Sequence, residues 1–156
     1  MNLIIRDAID SDLDHFFQFQ LDPEANRMAA FTAFNPSDRA AFDAHRMRIR
    51  ADESAIVKTV LVDGQVVGSV GKYEMFDKPQ VTYWIGKQYW GRGIATAALT
   101  RFLEEYGPRP LYAAAAFDNL GSIRVLEKCG FKQVDVDRGF SNARGEEIDE
   151  FIFKLD

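Results

Sequence analysis

Cysteine is nearly missing from this chain: Cys129 stands alone, which excludes an internal disulfide and any thiolate-rich metal centre. Histidine is almost as scarce. His15 and His45 are far apart in sequence and form no ligand pair at metal-binding spacing, so no metal is expected. No apolar run approaches the roughly 18 residues of a membrane span. The opening Met1-Asn2-Leu3-Ile4-Ile5-Arg6-Asp7 meets an acidic residue too early for a secretory signal, and the expected location is cytoplasmic. Basic charge is in deficit as well: 19 Lys and Arg against 24 Asp and Glu give a net charge of -5. That balance lacks the broad cationic face that neutralises a phosphate backbone, so nucleic acid is not an expected partner. What is present is 156 residues, 47% apolar and 28% charged, which suits one domain spanning 1–156 with its own core.

Periodicity supplies an element order. Leu3 to Arg6 reads as a short strand; Asp10 or Ser11 then caps a helix whose Leu13, Phe16, Phe17 and Leu21 share a face. Around Phe31 and Phe34 the chain is apolar and irregular. Asn35-Pro36 has the cap-then-proline form that opens a second helix, from Ser37 to about Ala51. Ile56 to Val62 is β-branched and leads into Asp63-Gly64, a pair suited to a hairpin turn. A strand from Gln65 to about Met75, a turn at Asp77-Lys78-Pro79 and a strand from Val81 to Gly86 complete a meander. Ala95, Ala98, Leu99, Phe102, Leu103 and Tyr106 recur at helical spacing until Gly107-Pro108 stops them. Leu111 to Phe117, hemmed by prolines in front and Asp118-Asn119 behind, reads as a short buried strand despite its alanines. Asp118 or Asn119 caps a further helix ending at Gly130, and two strands follow, about Phe131 to Phe140 and Ile148 to Leu155. The expectation is an α/β (α+β) fold: a mixed, mostly antiparallel sheet of six to seven strands with about four helices on both faces.

The stretch richest in chemistry is Tyr89-Trp90-Gly91-Arg92-Gly93-Ile94-Ala95-Thr96, after a strand and at the start of an amphipathic helix. A helix start leaves backbone N–H groups unpaired and carries partial positive charge, and glycines let a ligand approach the backbone, so the turn suits a pyrophosphate. Two rival phosphate loops fail on the letters. The dinucleotide fingerprint needs a third glycine where Thr96 stands and an acidic residue near Leu111; the nucleoside triphosphate loop needs Gly-Lys followed by Ser or Thr.

Taken with Asn119-Leu120-Gly121-Ser122 and Glu127-Lys128-Cys129-Gly130-Phe131, the segment Trp90-Gly91-Arg92-Gly93-Ile94-Ala95 resembles the Gcn5-related N-acetyltransferase (GNAT) superfamily. Tyr83-Trp84-Ile85 and Tyr89-Trp90-Gly91 are most similar to its ribosomal-protein N-terminal acetyltransferase branch. The resemblance implies acetyl-coenzyme A as acyl donor, with no metal, and a primary amine as acceptor: a peptide N-terminus or a small molecule. It implies that backbone groups of Trp84 and Ile85 hold the pantetheine arm and that Trp90, Gly91, Arg92, Gly93, Ile94, Ala95 and Thr96 hold the pyrophosphate. Asn119 and Ser122 would then lie near the thioester. It also makes a homodimer an expected form. On the residues alone, Asn119 reads as a helix cap and Ser122 as a solvated first-turn residue; the resemblance sets the site reading level with these. Cys129 reads as a buried small residue and not a nucleophile.

Amine acetylation needs a neutral nitrogen, a donor for the developing oxyanion and a proton for the departing thiolate. Against the resembled family, Trp90 replaces a common Gln or Arg, Leu126 stands where a tyrosine acid is frequent, and Gln80 where a glutamate base is frequent. The acid role then falls to Ser122 or water, and the candidate base is Glu74, one strand away. A non-catalytic acyl-coenzyme A sensor with the same fold is the alternative reading.

Overall fold

In a computed structural model describing residues 1–156, the apolar alternation resolves into seven strands. They are β1 (Leu3–Asp7), β2 (Ile56–Val62), β3 (Gln65–Met75), β4 (Lys78–Ile85), β5 (Leu111–Ala116), β6 (Lys132–Ser141) and β7 (Glu146–Leu155). Five helices accompany them: α1 (Leu13–Gln20), α2 (Pro23–Ala29), α3 (Arg39–Ala51), α4 (Ile94–Glu105) and α5 (Leu120–Lys128). One sheet runs β1-β2-β3-β4-β5-β7-β6, antiparallel throughout except where β4 meets β5.

The strand count and the mixed sheet match the sequence expectation, and four details correct it. Helix α2 is an addition to the expected order, opened by the cap-then-proline pair Asp22-Pro23: the Asp22 carboxylate accepts from the Ala25 N–H at 2.8 Å. The similar pair Asn35-Pro36 opens no helix. Asn35 instead closes a turn on Ser37, and α3 starts at Arg39 under Asp38, which accepts from the Ala41 N–H at 3.0 Å. The turn expected at Asp77-Lys78-Pro79 is made by Phe76 and Asp77, both at positive φ, so Lys78 and Pro79 already belong to β4. Neither Asp10 nor Ser11 caps α1; a 3-10 turn at Asp10–Asp12 precedes it.

Directly paired residues share a face of a sheet, so the register sorts the site. Val70 and Tyr83, Lys72 and Val81, and Gly68 and Ile85 are pairs on the face covered by α4 and α5. There Val70, Val81, Leu99, Phe102, Leu126 and Phe153 form the main core. Ser69 and Trp84, Gly71 and Thr82, and Tyr73 and Gln80 are pairs on the opposite face, where Phe16, Phe17, Phe19 and Phe42 of α1 and α3 pack against Trp84. Gln80 pairs with Tyr112, which carries this second face onto Tyr112, Ala114 and Ala116 of β5 and then onto Lys154, Ile152 and Glu150 of β7.

The outer edge of the sheet is fixed by one carboxylate. Asp12 is 2% exposed and accepts four hydrogen bonds: two from Arg6, one from the Thr59 hydroxyl at 2.6 Å and one from the Ile9 N–H. Burial by itself would raise its pKa; the donors from Arg6, Thr59 and Ile9 outweigh burial and bring it down from 3.8 to about 2. Held there, it contributes roughly 2 kcal/mol at neutral pH. Because the folded value is the lower one, that contribution is present above about pH 4 and disappears as the pH falls through about 2. Asp12→Ala should cost roughly 3 kcal/mol, since it strands a buried hydroxyl and a guanidinium. In urea titrations at pH 7 and pH 3, the gap between wild type and variant should narrow at the lower pH.

Candidate acyl-donor and acceptor site

Gly91 and Gly93 sit at φ 79° and 74°, the left-handed region closed to most side chains. Gly93 is the N-cap of α4 and offers no side chain to cap it. The helix ladder begins with the Ala97 N–H on the Gly93 carbonyl, so the N–H groups of Ile94, Ala95 and Thr96 point out of the helix start. A Cβ on Gly91 or Gly93 would meet no protein atom within 4 Å. The glycines are therefore required by backbone conformation and not by packing within the protein. Trp90 ties this turn to the sheet: its indole N–H donates to the Ile85 carbonyl at 2.8 Å. Arg92 is exposed and lies over the Tyr89 ring, 5.9 Å from its centroid.

Beside the turn the sheet opens. β4 and β5 share a single rung, Gln80 with Tyr112, after which the two parallel strands separate. Trp84 sends its side chain toward the phenylalanine cluster and Ile85 into the main core, so what β4 turns toward the gap is backbone. Free strand-edge N–H and C=O groups are what an amide-bearing pantetheine arm can pair with.

Across the gap, the Tyr83 phenol and the Ser122 hydroxyl lie 2.6 Å apart. Burial pushes the Tyr83 pKa up to about 12 against the opposing Ser122 hydrogen bond, so the phenol keeps its proton. Tyr83 carries no candidate catalytic role in the sequence; only the register, which turns it toward α5, pairs it with Ser122. Asn119 caps α5, accepting from the Ser122 N–H at 3.2 Å, while its side-chain amide donates to the Met28 carbonyl at 3.2 Å. Both functional groups of Asn119 are thus engaged in holding α5 and the end of α2. Leu126 is 1% exposed in the main core. Cys129 is half-buried, less enclosed than expected, and burial pushes its thiol pKa up, against nucleophilic thiolate chemistry.

Glu74 lies elsewhere. It pairs with Pro79 on the α4 face, its carboxylate is 2.9 Å from the Lys72 ammonium, and Lys72 in turn sits over the Tyr106 ring. Ile85, at the open end, is six residues along β4 from Pro79, about 20 Å at strand rise. Glu74 is thus at the closed end of the sheet and on the face turned away from Gln80.

That second face holds a trough. Thr82 on β4 and Ala114 on β5 are exposed although both strands are central, because α1 and α3 cover only the Trp84 end and α2 only the Ala116 end. The far wall is strapped down: Ser141 donates to the Ala30 carbonyl at 2.5 Å, Asn142 to the Thr32 carbonyl at 2.9 Å, and Arg144 forms a bidentate pair with Asp118.

A backbone slot ending at an uncapped glycine helix start, with an open trough alongside, defines an acyl-coenzyme A transferase. The acetyltransferase (GNAT) domain model matches residues 2–132, and the chain belongs to that family of acetyl-coenzyme A-dependent N-acetyltransferases. It is 25% identical to the uncharacterized N-acetyltransferase p20 of Bacillus licheniformis over 158 residues, 92% of this chain and 86% of that protein. It is 32% identical to YdaF of Bacillus subtilis, provisionally named a ribosomal N-acetyltransferase, over 65% of this chain and 61% of that one. This agrees with the branch that Trp84 and Trp90 resemble. The structure of spermidine N-acetyltransferase from Vibrio cholerae, in complex with CoA and spermine, superposes with a TM-score of 0.81 at 17% identity, covering 98% of this chain and 94% of that one. That likeness is one of fold.

Gly93→Ala should weaken acetyl-coenzyme A binding by about tenfold or more, since a methyl group enters the approach path at a cost of roughly 1–2 kcal/mol in the left-handed region. Isothermal titration should register that loss while the melting temperature falls by only a few degrees.

Proposed function

We propose that residues 1–156 act as one acyl-coenzyme A N-acyltransferase domain that acetylates a primary amine, either a peptide N-terminus or a small molecule, by direct attack within a ternary complex. The observation that carries this reading is the single rung between β4 and β5. It leaves a backbone slot that runs from the Gly91–Gly93 turn to the trough at Thr82 and Ala114. Bound in the slot, acetyl-coenzyme A supplies an acetyl thioester. The chain's own groups do the rest.

The outward N–H groups of Ile94, Ala95 and Thr96 and the cation of Arg92 hold phosphate. The edge of β4 at Trp84 and Ile85 aligns the pantetheine arm. Ser122 delivers a proton toward the thiolate, and Tyr83 orients it. With the phenol donating to the Ser122 oxygen, the serine proton is free to point into the slot. Tyr83 then takes the place of the missing tyrosine acid at Leu126 by reaching the same helix from β4. The part of Asn119 in this scheme is to hold the α5 start where Ser122 needs it. A cytoplasmic setting, a homodimer and the absence of nucleic acid or membrane partners belong to the same proposal, and no helix is long and apolar enough to cross a membrane.

Thiol release from acetyl-coenzyme A, followed over a panel of peptides, polyamines and aminoglycosides, tests the reading. Transfer to at least one class is expected; binding of coenzyme A without transfer to any would favour the non-catalytic alternative. On the active substrate, Ser122→Ala and Tyr83→Phe should each lower kcat about 10- to 100-fold while KM for acetyl-coenzyme A stays within about twofold. The double variant should be little worse than either single one, because the two groups act as a unit. Additive losses would remove the pair from the mechanism.

A further inference from the structure

Resting on the acetyl-transfer reading, we propose that Glu150 of β7 binds the acceptor as a cationic amine and removes its proton. Glu150 lies outside residues 2–132, so the family match says nothing about it. In sequence it looks like one polar position of an alternating strand, Glu146-Glu147-Ile148-Asp149-Glu150-Phe151-Ile152. Register gives it another meaning. Ala114 pairs with Ile152 and Ala116 with Glu150, so the Glu150 side chain rises one strand away from the exposed floor at Ala114 and Thr82.

Its surroundings set it apart from other carboxylates of the chain. Asp12, Asp118, Asp149 and Glu74 each have an Arg or Lys partner; Glu150, though half-buried, has neither an ion pair nor a hydrogen-bond donor from the protein. The cations of this face, Lys78 and Lys154, sit over the Tyr112 ring, Lys154 paired with Asp156; the titratable groups that border Glu150 itself are Asp137, directly opposite on β6, and the half-buried phenol of Tyr73, which comes from β3 on the same face. Neither of these two is a cation. Burial and then the Asp137 charge hold the Glu150 carboxyl above its ordinary value, and burial and then Glu150 likewise raise the Tyr73 pKa, so the phenol stays neutral. A partly desolvated carboxylate without a protein cation is completed by a ligand cation, and an elevated pKa makes it a better proton acceptor.

The proton and electron count closes. The ammonium gives one proton to the Glu150 carboxylate, and the freed nitrogen lone pair forms the C–N bond to the acetyl carbonyl carbon. The C–S bond breaks with its electron pair on sulfur. Ser122 gives its proton to sulfur and recovers one through solvent from the nitrogen, which loses its second proton once acylated, and the proton on Glu150 returns to solvent. The products are the N-acetyl amine, the free thiol and one proton.

The test compares wild type and Glu150→Gln on two acceptors that share a skeleton: a strongly basic alkylamine and a weakly basic analogue already neutral at pH 7.5. Wild type should acetylate both. The variant should lose about 100-fold in kcat/KM on the alkylamine and only a few-fold on the weak base, with calorimetric affinity for acetyl-coenzyme A unchanged. Its melting temperature should equal or exceed that of wild type, because an elevated folded pKa means that the ionised carboxylate costs stability at neutral pH. Equal losses on both amines, or none, overturn the assignment of Glu150. If wild type acetylates neither amine and none of the wider panel, the acetyl-transfer reading falls first and this one with it. Should the Gln variant fail to fold, Glu150→Asp, which retracts the charge by one methylene, must show the same selectivity for the alkylamine loss; equal turnover of both acceptors by that variant also overturns the proposal.

Discussion

Two neighbouring strands that decline to pair govern this molecule. β4 keeps an eight-pair ladder with β3 and β5 a six-pair ladder with β7, yet between them only Gln80 and Tyr112 meet. Each strand is held rigidly from its outer side and gives up its inner one. A buried strand edge left unpaired costs about 1–3 kcal/mol per orphaned group, so the gap is stable only if water or a ligand reaches it. A pantetheine arm supplies the alternating amide donors and acceptors such an edge lacks. The orientation of α4 follows from the same opening: its uncapped start lies just beyond the end of β4, fastened there by the Trp90 indole on the Ile85 carbonyl.

The opening also separates the two proposed chemistries. On the α4 and α5 face, Tyr83 and Ser122 meet across the gap with both hydroxyls protonated, the pair proposed to supply a proton. On the other face, Tyr73, Gln80, Thr82, Ala114 and Glu150 border a trough in which Glu150 has no protein cation as partner, the place proposed to accept a cation and remove its proton. Because alternate residues of one strand point to opposite faces, β4 alone contributes to both: Tyr83 to one, Gln80 and Thr82 to the other.

Most of the fold could be read from the letters because its signals are local. Asp63-Gly64 needs positive φ at two adjacent residues and has the side chains for it, and the structure puts both there, at 51° and 81°. Phe76-Asp77 adopts the same kind of turn with an aromatic at φ 53°, and no sequence rule would choose that phenylalanine over the Asp77-Lys78-Pro79 cluster beside it. The same cap-then-proline pattern closes a turn at Asn35-Pro36 and opens a helix at Asp22-Pro23. Phosphate-turn residues are contiguous, so their pattern survives in one dimension. The residues proposed for proton transfer are not: Tyr83 and Ser122 are separated by a helix and a strand, and Glu150 reaches the trough only because β7 returns to insert between β5 and β6. Glu74 looked nearer in sequence, but its parity on β3 turns it to the wrong face.

Asp12 and Glu150 show how the same physics builds a scaffold in one place and the proposed reactive group in another. Both carboxylates are withdrawn from water, which alone raises a carboxyl pKa. At Asp12 four donors more than compensate, the charge is locked in, and the group is spent on holding β1, β2 and the start of α1 together. At Glu150 the protein provides no donor and sets Asp137 opposite, so the cost of burial is left uncompensated. A fold with a large core on the α4 and α5 face can tolerate that deficit, and a group whose charge is unsatisfied until a cation arrives is matched to binding an amine and giving up its proton again. Stability is thus concentrated at the closed edge of the sheet, and unsatisfied polarity is confined to the face where the strands come apart.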